Sequence, residues 1–127
     1  MNVIAGSNGT SGSEKATEFA FSYCRALGAN FYVLYVVSTK SEEDKDKNIK
    51  NGMRVLGRLK IRGADLGVPM ATLLEAGEPH ENIIEAAKRL KCEMIVIGNS
   101  EKGRGLFGAS TSEQIFKNAH CTVTVVK

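Results

Sequence analysis

The chain reads as a doubly wound α/β fold on one five-stranded parallel sheet, and three observations carry that reading. Five short apolar runs alternate with longer amphipathic segments through the 127 residues. Two of the runs, FYVLYVV at 31–37 and MIVIG at 94–98, are continuously apolar, as strands covered on both faces are. The segments between runs are long enough for helical crossovers, which parallel neighbours require and which wind right-handed.

The first strand is centred on Val3 to Ala5. A run of small residues, GSNGTSGS, then leads into a helix with Ala16, Phe19, Ala20, Tyr23 and Leu27 on one face. Ser11 and Glu14 stand in capping-box spacing, and Gly28 stops the helix. Phe31 to Val37 is the second strand. Residues 40 to 50 hold four bases and four acids, a solvated lead into a second helix with Ile49, Met53, Leu56 and Leu59 facing inward. Gly52, Gly57 and Gly63 weigh against that helix. A third strand, Pro69 to Leu74, is less apolar and starts with proline, which suits a sheet edge. Pro79 opens the third helix, whose inner face is Ile83, Ile84, Ala87 and Leu90. Met94 to Gly98 is the fourth strand, followed by the glycine-rich NSEKGRGLFGAS. Ser110 and Glu113 repeat the capping-box spacing ahead of a last helix carrying Ile115, Phe116 and Ala119. Thr122 to Val126 closes the chain as a fifth strand.

Length sets the expectation of one domain over 1–127, with a core that needs neither disulfide nor metal. The net charge of +3, without a basic stripe interleaved with aromatics, argues against nucleic acid as partner. Cys24, Cys92 and Cys121 are scattered and odd in number, which reads as reduced thiols of a cytoplasmic protein. No segment has the length or apolarity to span a bilayer, so no membrane partner is expected.

In a doubly wound sheet, ligands bind beyond the carboxyl ends of the strands where the strand order reverses. The loops after strands one and four are the candidates to flank that crevice. Each leads into a helix whose N-terminus offers free amides and partial positive charge, both suited to a phosphate. Each loop also has the plainer use of a turn, Ser11 and Ser110 that of helix caps, and Asn8 and Thr10 that of bonding their own turn. His80 and His120 lie far apart without evident partners, no G-x-S-x-G elbow frames a nucleophile, and no H-E-x-x-H spacing offers a metal site.

From VIAGSNGTSGSEKA through LYVVS, GEPHENIIEAA and EMIVIGNS to STSEQIFKNAHCTVTVV, the chain resembles the universal stress proteins. That resemblance implies an adenine nucleotide alpha hydrolase-like, Rossmann-like sheet of order 3-2-1-4-5. It further implies ATP, with Mg2+ on its phosphates, between the loops after strands one and four. The family's motif there is a Gly, two residues, a second Gly, nine residues, then Gly-Ser or Gly-Thr. Gly98 matches its start, the second Gly falls on Glu101, and the closing pair reads Ala109-Ser110 in a loop about two residues short. Gly103, Gly105 and Gly108 keep the loop glycine-rich, Glu101 would repel a phosphate, and Lys102 and Arg104 would attract one.

In the first loop, Asn8-Gly9-Thr10 stands where nucleotide-binding relatives have Asp-Gly-Ser, and the amide can both donate to and accept from an adenine edge. Val37 matches a position that packs near the base. The site implied by the resemblance is therefore Ser7, Asn8, Gly9, Thr10, Val37, Gly98, Asn99, Gly103, Gly108, Ala109, Ser110 and Thr111, with no catalytic residue. A bulky residue at Gly98 is expected to weaken nucleotide binding while leaving the fold intact. The family order also makes Thr122 to Val126 an edge strand open to a second copy, so a homodimer is expected, opened by a charge at Val123 or Val125.

Three function classes follow. The first is a cytoplasmic stress-response protein that binds an adenine nucleotide and at most hydrolyses it slowly. The second has the same fold without nucleotide and acts as a homodimeric interaction module; Asn8, Glu101 and Ala109 favour it. The third is an enzyme or flavin protein on a related scaffold. A nucleotidyl transferase would need a histidine pair after strand one, an ATP pyrophosphatase an aspartate in that loop, and an FMN site more stacking aromatics than Phe107. A phosphorylation receiver would need acids at its first and third strand ends, where Ala5, Gly6 and Ser7 close the first strand here.

Overall fold

A computed structural model of the chain describes residues 1–37, 44–98 and 109–127. The elements alternate as expected: β1 Asn2–Ser7, α1 Ser11–Leu27, β2 Asn30–Val37, α2 Lys45–Leu66, β3 Met70–Ala76, α3 Pro79–Arg89, β4 Met94–Gly98, α4 Ala109–Asn118 and β5 Thr122–Val126. Every pairing is parallel, and the sheet runs β3-β2-β1-β4-β5. The doubly wound, five-stranded order 3-2-1-4-5 is thus the observed fold.

Strand alternation sorts the core into two layers. Val3 and Ala5 of β1, Val33, Tyr35 and Val37 of β2, and Met94 and Val96 of β4 face α1 and α2. Ile4, Leu34, Val36, Ile95 and Ile97 face the opposite way, against Ile83, Ile84 and Ala87 of α3 and Ile115 of α4. A sheet buried on both faces needs apolar residues at every position of its inner strands, which is why β2 and β4 read as unbroken apolar runs.

The helix faces depart from expectation in detail. α1 buries Ala16, Thr17, Ala20, Phe21 and Cys24, whereas Phe19 and Leu27 are 39% and 57% exposed. Its alanines bring the helix close to the sheet, and Phe21 meets Phe31 edge to face at 4.9 Å. Phe19 instead stacks on Tyr23 at the helix flank. In α2, Leu56 and Leu59 are buried together with Val55, Ile49 is half-buried, and Met53 points to solvent.

Two of the three glycines that weigh against α2 as a helix, Gly52 and Gly63, are what let it pack. A Cβ on Gly52 would meet the Tyr35 ring and Leu74 at 2.8 Å, and one on Gly63 would meet the Met70 sulfur at 2.5 Å. In α4 Ile115 is fully buried, while Phe116 is exposed. β3 is an edge strand as expected, but it starts after Pro69 and extends to Ala76.

Candidate functional site

From β1 the chain winds out to β2 and β3, then returns across the sheet to β4 and β5 on the other side. The order therefore reverses between β1 and β4, neighbours in register from Val3 opposite Met94 to Ala5 opposite Val96. Their carboxyl ends, Ser7 and Gly98, define the crevice. Ser7 is 2% exposed and pairs in register with Tyr35 of β2.

The loop after β1 is a closed turn. Asn8 Oδ1 accepts from the Thr10 amide at 3.0 Å and from Thr10 Oγ1 at 2.6 Å. Thr10 Oγ1 in turn accepts from the Ser13 amide at 3.4 Å, so Thr10, and not Ser11, is the N-cap of α1. Ser11 is the first helical residue, one position too late to cap. Ser13 Oγ donates to the Thr10 carbonyl and accepts from the Asn8 amide. The Glu14 amide bonds the Thr10 carbonyl, which leaves the amides of Ser11 and Gly12 as those without an intrahelical partner. Gly9, at φ +79°, sits against α2, where a Cβ would lie 3.2 Å from Val55. Below it Asn51 Nδ2 donates to Tyr35 Oη at 2.9 Å, so β2 and α2 brace the turn.

The far wall begins at Gly98. A Cβ there would lie 2.6 Å from the Gly12 carbonyl carbon and 3.1 Å from the Ser13 amide nitrogen. The end of β4 thus lies directly against the first turn of α1, and a bulky residue at Gly98 would displace backbone, contrary to the expectation of an intact fold. Asn99, Gly103 and Gly108 lie outside the described residues, as do Glu101, Lys102 and Arg104. Ala109, Ser110 and Thr111 form the first turn of α4; the helix starts at Ala109, so Ser110 lies inside it rather than before it. Thr111 is half-buried. Val37 is 3% exposed among core residues, and its carbonyl accepts from the Gly77 amide at 3.1 Å.

Ser7, Asn8, Gly9, Thr10 and Gly98 therefore come together around the start of α1, with Val37 one strand away. Gly12 and Ser13 complete the arrangement, and neither was singled out from sequence. Their signal was slight: a small residue in the first turn of an amphipathic helix.

The thiols lie away from this end. Cys24 is in the last turn of α1, and Cys92 and Cys121 precede β4 and β5. All three are free. Burial pushes the Cys24 thiol up to about 11 and the Cys92 thiol up to about 12, the latter helped by Cys121 and Glu93 nearby. Burial and Glu93 also raise Cys121. A groove of about 470 Å³ runs between α3 and α4, lined by His80, Glu81, Ile84, Glu85, Lys88 and Asn118. Among the described residues no cluster of His, Cys, Asp or Glu has the make-up of a metal site, and no helix is long and apolar enough to cross a membrane.

The model of the universal stress protein family matches residues 1–127. The chain belongs to the universal stress protein family. Among curated members it is 30% identical to universal stress protein MJ0531 of Methanocaldococcus jannaschii, over 98% of this chain and 81% of that protein. Among solved structures, a universal stress family protein from Burkholderia pseudomallei superposes with a TM-score of 0.83 at 22% identity, covering 98% of this chain and 94% of that one. The universal stress protein from Archaeoglobus fulgidus in complex with dAMP gives 0.80 at 21% identity, covering 99% and 96%. At such identities the superpositions speak for the universal stress fold alone.

Proposed function

We propose that this universal stress protein binds an adenine nucleotide, ATP carrying Mg2+ on its phosphates, in the crevice between the loops after β1 and β4. The observation that carries the reading is the approach of Gly98 to Gly12 and Ser13. It brings the start of the second loop against the first turn of α1, beside the Ser11 and Gly12 amides that a phosphate would use. Fold neighbours crystallised with dAMP, cAMP and AMP support the choice of adenine nucleotide. In this reading the chain is a cytoplasmic stress-response protein with at most slow hydrolysis. Calorimetric titration of nucleotide-stripped protein with ATP and magnesium, against AMP and FMN, tests it. Micromolar ATP binding is expected; no heat with any of the three from folded protein would overturn it.

A second reading is a homodimeric interaction module, and one observation favours it. β5 is an open edge with most of its residues half-exposed. α1 packs over that strand from one layer, and Phe19 of α1 and Phe116 of α4 are exposed. A second copy pairing along β5 would satisfy the edge strand's unpaired backbone groups.

A further inference from the structure

Glu93, between α3 and β4, is held from both sides. Its amide donates to the Asn2 carbonyl at 2.9 Å, and its carbonyl accepts from the Thr122 amide at 3.3 Å. β4 and β5 pair with Met94 opposite Thr122, so one step back Glu93 stands opposite Cys121. Cys92 adjoins Glu93, and its own amide is fixed by the Ala87 carbonyl at 2.8 Å. A strand spacing of about 4.8 Å with one residue of offset, about 3.3 Å, puts the two cysteine Cα atoms about 6 Å apart, a separation that a disulfide spans. Both side chains reach the same layer: Cys92 is buried in the cluster under α3 and α4, and Cys121 packs against that cluster. The Cys92 thiol, raised first by burial, is raised further by Cys121, as neighbouring thiols raise one another. Cys24 belongs to the opposite layer, across the sheet.

We propose that Cys92 and Cys121 form an oxidisable pair, joined into a disulfide by hydrogen peroxide, that clamps the edge strand β5 to β4 at their amino ends. Cys121 meets the oxidant, because it is half-exposed whereas Cys92 is 3% exposed. Its thiolate attacks one peroxide oxygen; the S–O bond forms, the O–O bond breaks, and the hydroxide that leaves takes up the Cys121 proton as water. The Cys92 sulfur then attacks the sulfur of the Cys121 sulfenic acid. The S–S bond forms, the S–O bond breaks, and the departing hydroxide takes up the Cys92 proton as a second water. The two thiols together lose two electrons and two protons, and the peroxide is reduced by the same count. Burial holds both thiols above the ordinary cysteine value, so little thiolate is present at neutral pH and the pair responds to sustained oxidant rather than to traces. The bond closes the segment 92–121, which carries β4 and α4, and restricts the unfolded chain more than the folded one. It acts on a strand that pairs with β4 alone.

The test exposes purified, reduced protein to excess hydrogen peroxide, alkylates it in denaturant and maps the peptides by mass spectrometry. A bond between Cys92 and Cys121 is expected, with Cys24 alone left to alkylate, and a dithiol should restore all three thiols. The bond should form roughly tenfold faster at pH 8 than at pH 7, as the thiolate fraction rises. It should also raise the unfolding midpoint by several degrees. Cys121→Ser should abolish both the link and the shift, and Cys24→Ser should leave the link in place, a comparison that spares the buried Cys92. Three alkylated thiols after exposure, Cys121 carried on to sulfinic acid with Cys92 still free, or a Cys121 bond between two copies would overturn the pairing. A bond that forms while the midpoint stays or falls would overturn the clamp.

Discussion

Gly98, the last residue of β4, lies against the backbone of Gly12 in the first turn of α1, close enough that a Cβ on Gly98 would sit 2.6 Å from the Gly12 carbonyl carbon. The contact ties the two inner strands of the switch point to the helix that starts there. Because the obstruction is backbone, no rotamer change relieves it. Gly98→Ala is therefore expected to cost roughly 1–3 kcal/mol in urea unfolding, through displacement of α1. Nucleotide affinity should fall with it, so a binding loss at Gly98 reports the wall of the crevice as much as a ligand contact. An alanine variant of unchanged stability would show that the approach is looser than described.

That contact marks the boundary of what could be read from the residues in order. The alternation of strand and helix was legible because β2 and β4 are unbroken apolar runs, which only a sheet covered on both faces needs. Strand order came from resemblance, and the observed sheet agrees. Helix faces were legible to within one or two positions: Phe19, Met53 and Phe116 fit an apolar stripe, but Ala16, Ala20 and Gly52, small enough to admit close packing, set the rotation. The cap slipped from Ser11 to Thr10 because SNGTSGS offers several hydroxyls in succession, and only the Asn8–Thr10–Ser13 chain of bonds selects one. Gly12 against Gly98 joins residues far apart in sequence, and no local pattern carries such a pairing.

The glycines of α2 make opposite predictions. Gly57 is exposed with open space around its Cβ position, so Gly57→Ala should stabilise by about 0.5–1 kcal/mol through helix propensity. Gly52 faces the Tyr35 ring, which is buried and held by Asn51. Gly52→Ala should destabilise by roughly 1–3 kcal/mol despite the better helix former, since the ring has no room to retreat. Thermal unfolding of both variants checks the signs, and a stabilising Gly52→Ala would contradict the packing described.

Alkaline pH should weaken the fold through Cys24. Burial raises its folded-state pKa from 9.0 to about 11, so the neutral thiol is favoured in the native state. That contribution is fully present below pH 9 and is lost as pH rises through about 11, because the unfolded chain gives up its proton first. Urea unfolding across this window should show stability falling with pH, and falling less steeply in Cys24→Ala. At neutral pH a thiol reagent should modify the half-exposed Cys121 ahead of Cys24 and Cys92. An equal slope in wild type and Cys24→Ala would place the alkaline loss elsewhere.

The homodimer reading needs a probe that spares the core. Val123 and Val125, the positions first expected to open a dimer, are half-buried and pack against the cluster formed by α3, α4 and the sheet, so a charge there would damage the monomer too. Thr122 begins β5 and is exposed, and Phe116 of α4 is exposed as well. A lysine on an edge strand opposes pairing with a second strand while costing the monomer little. Thr122→Lys combined with Phe116→Lys should therefore leave the unfolding midpoint close to wild type and shift sedimentation from dimer to monomer. If wild type already sediments as a monomer at high concentration, the β5 edge is not a self-association site. If the double variant stays dimeric, the two copies meet through another face.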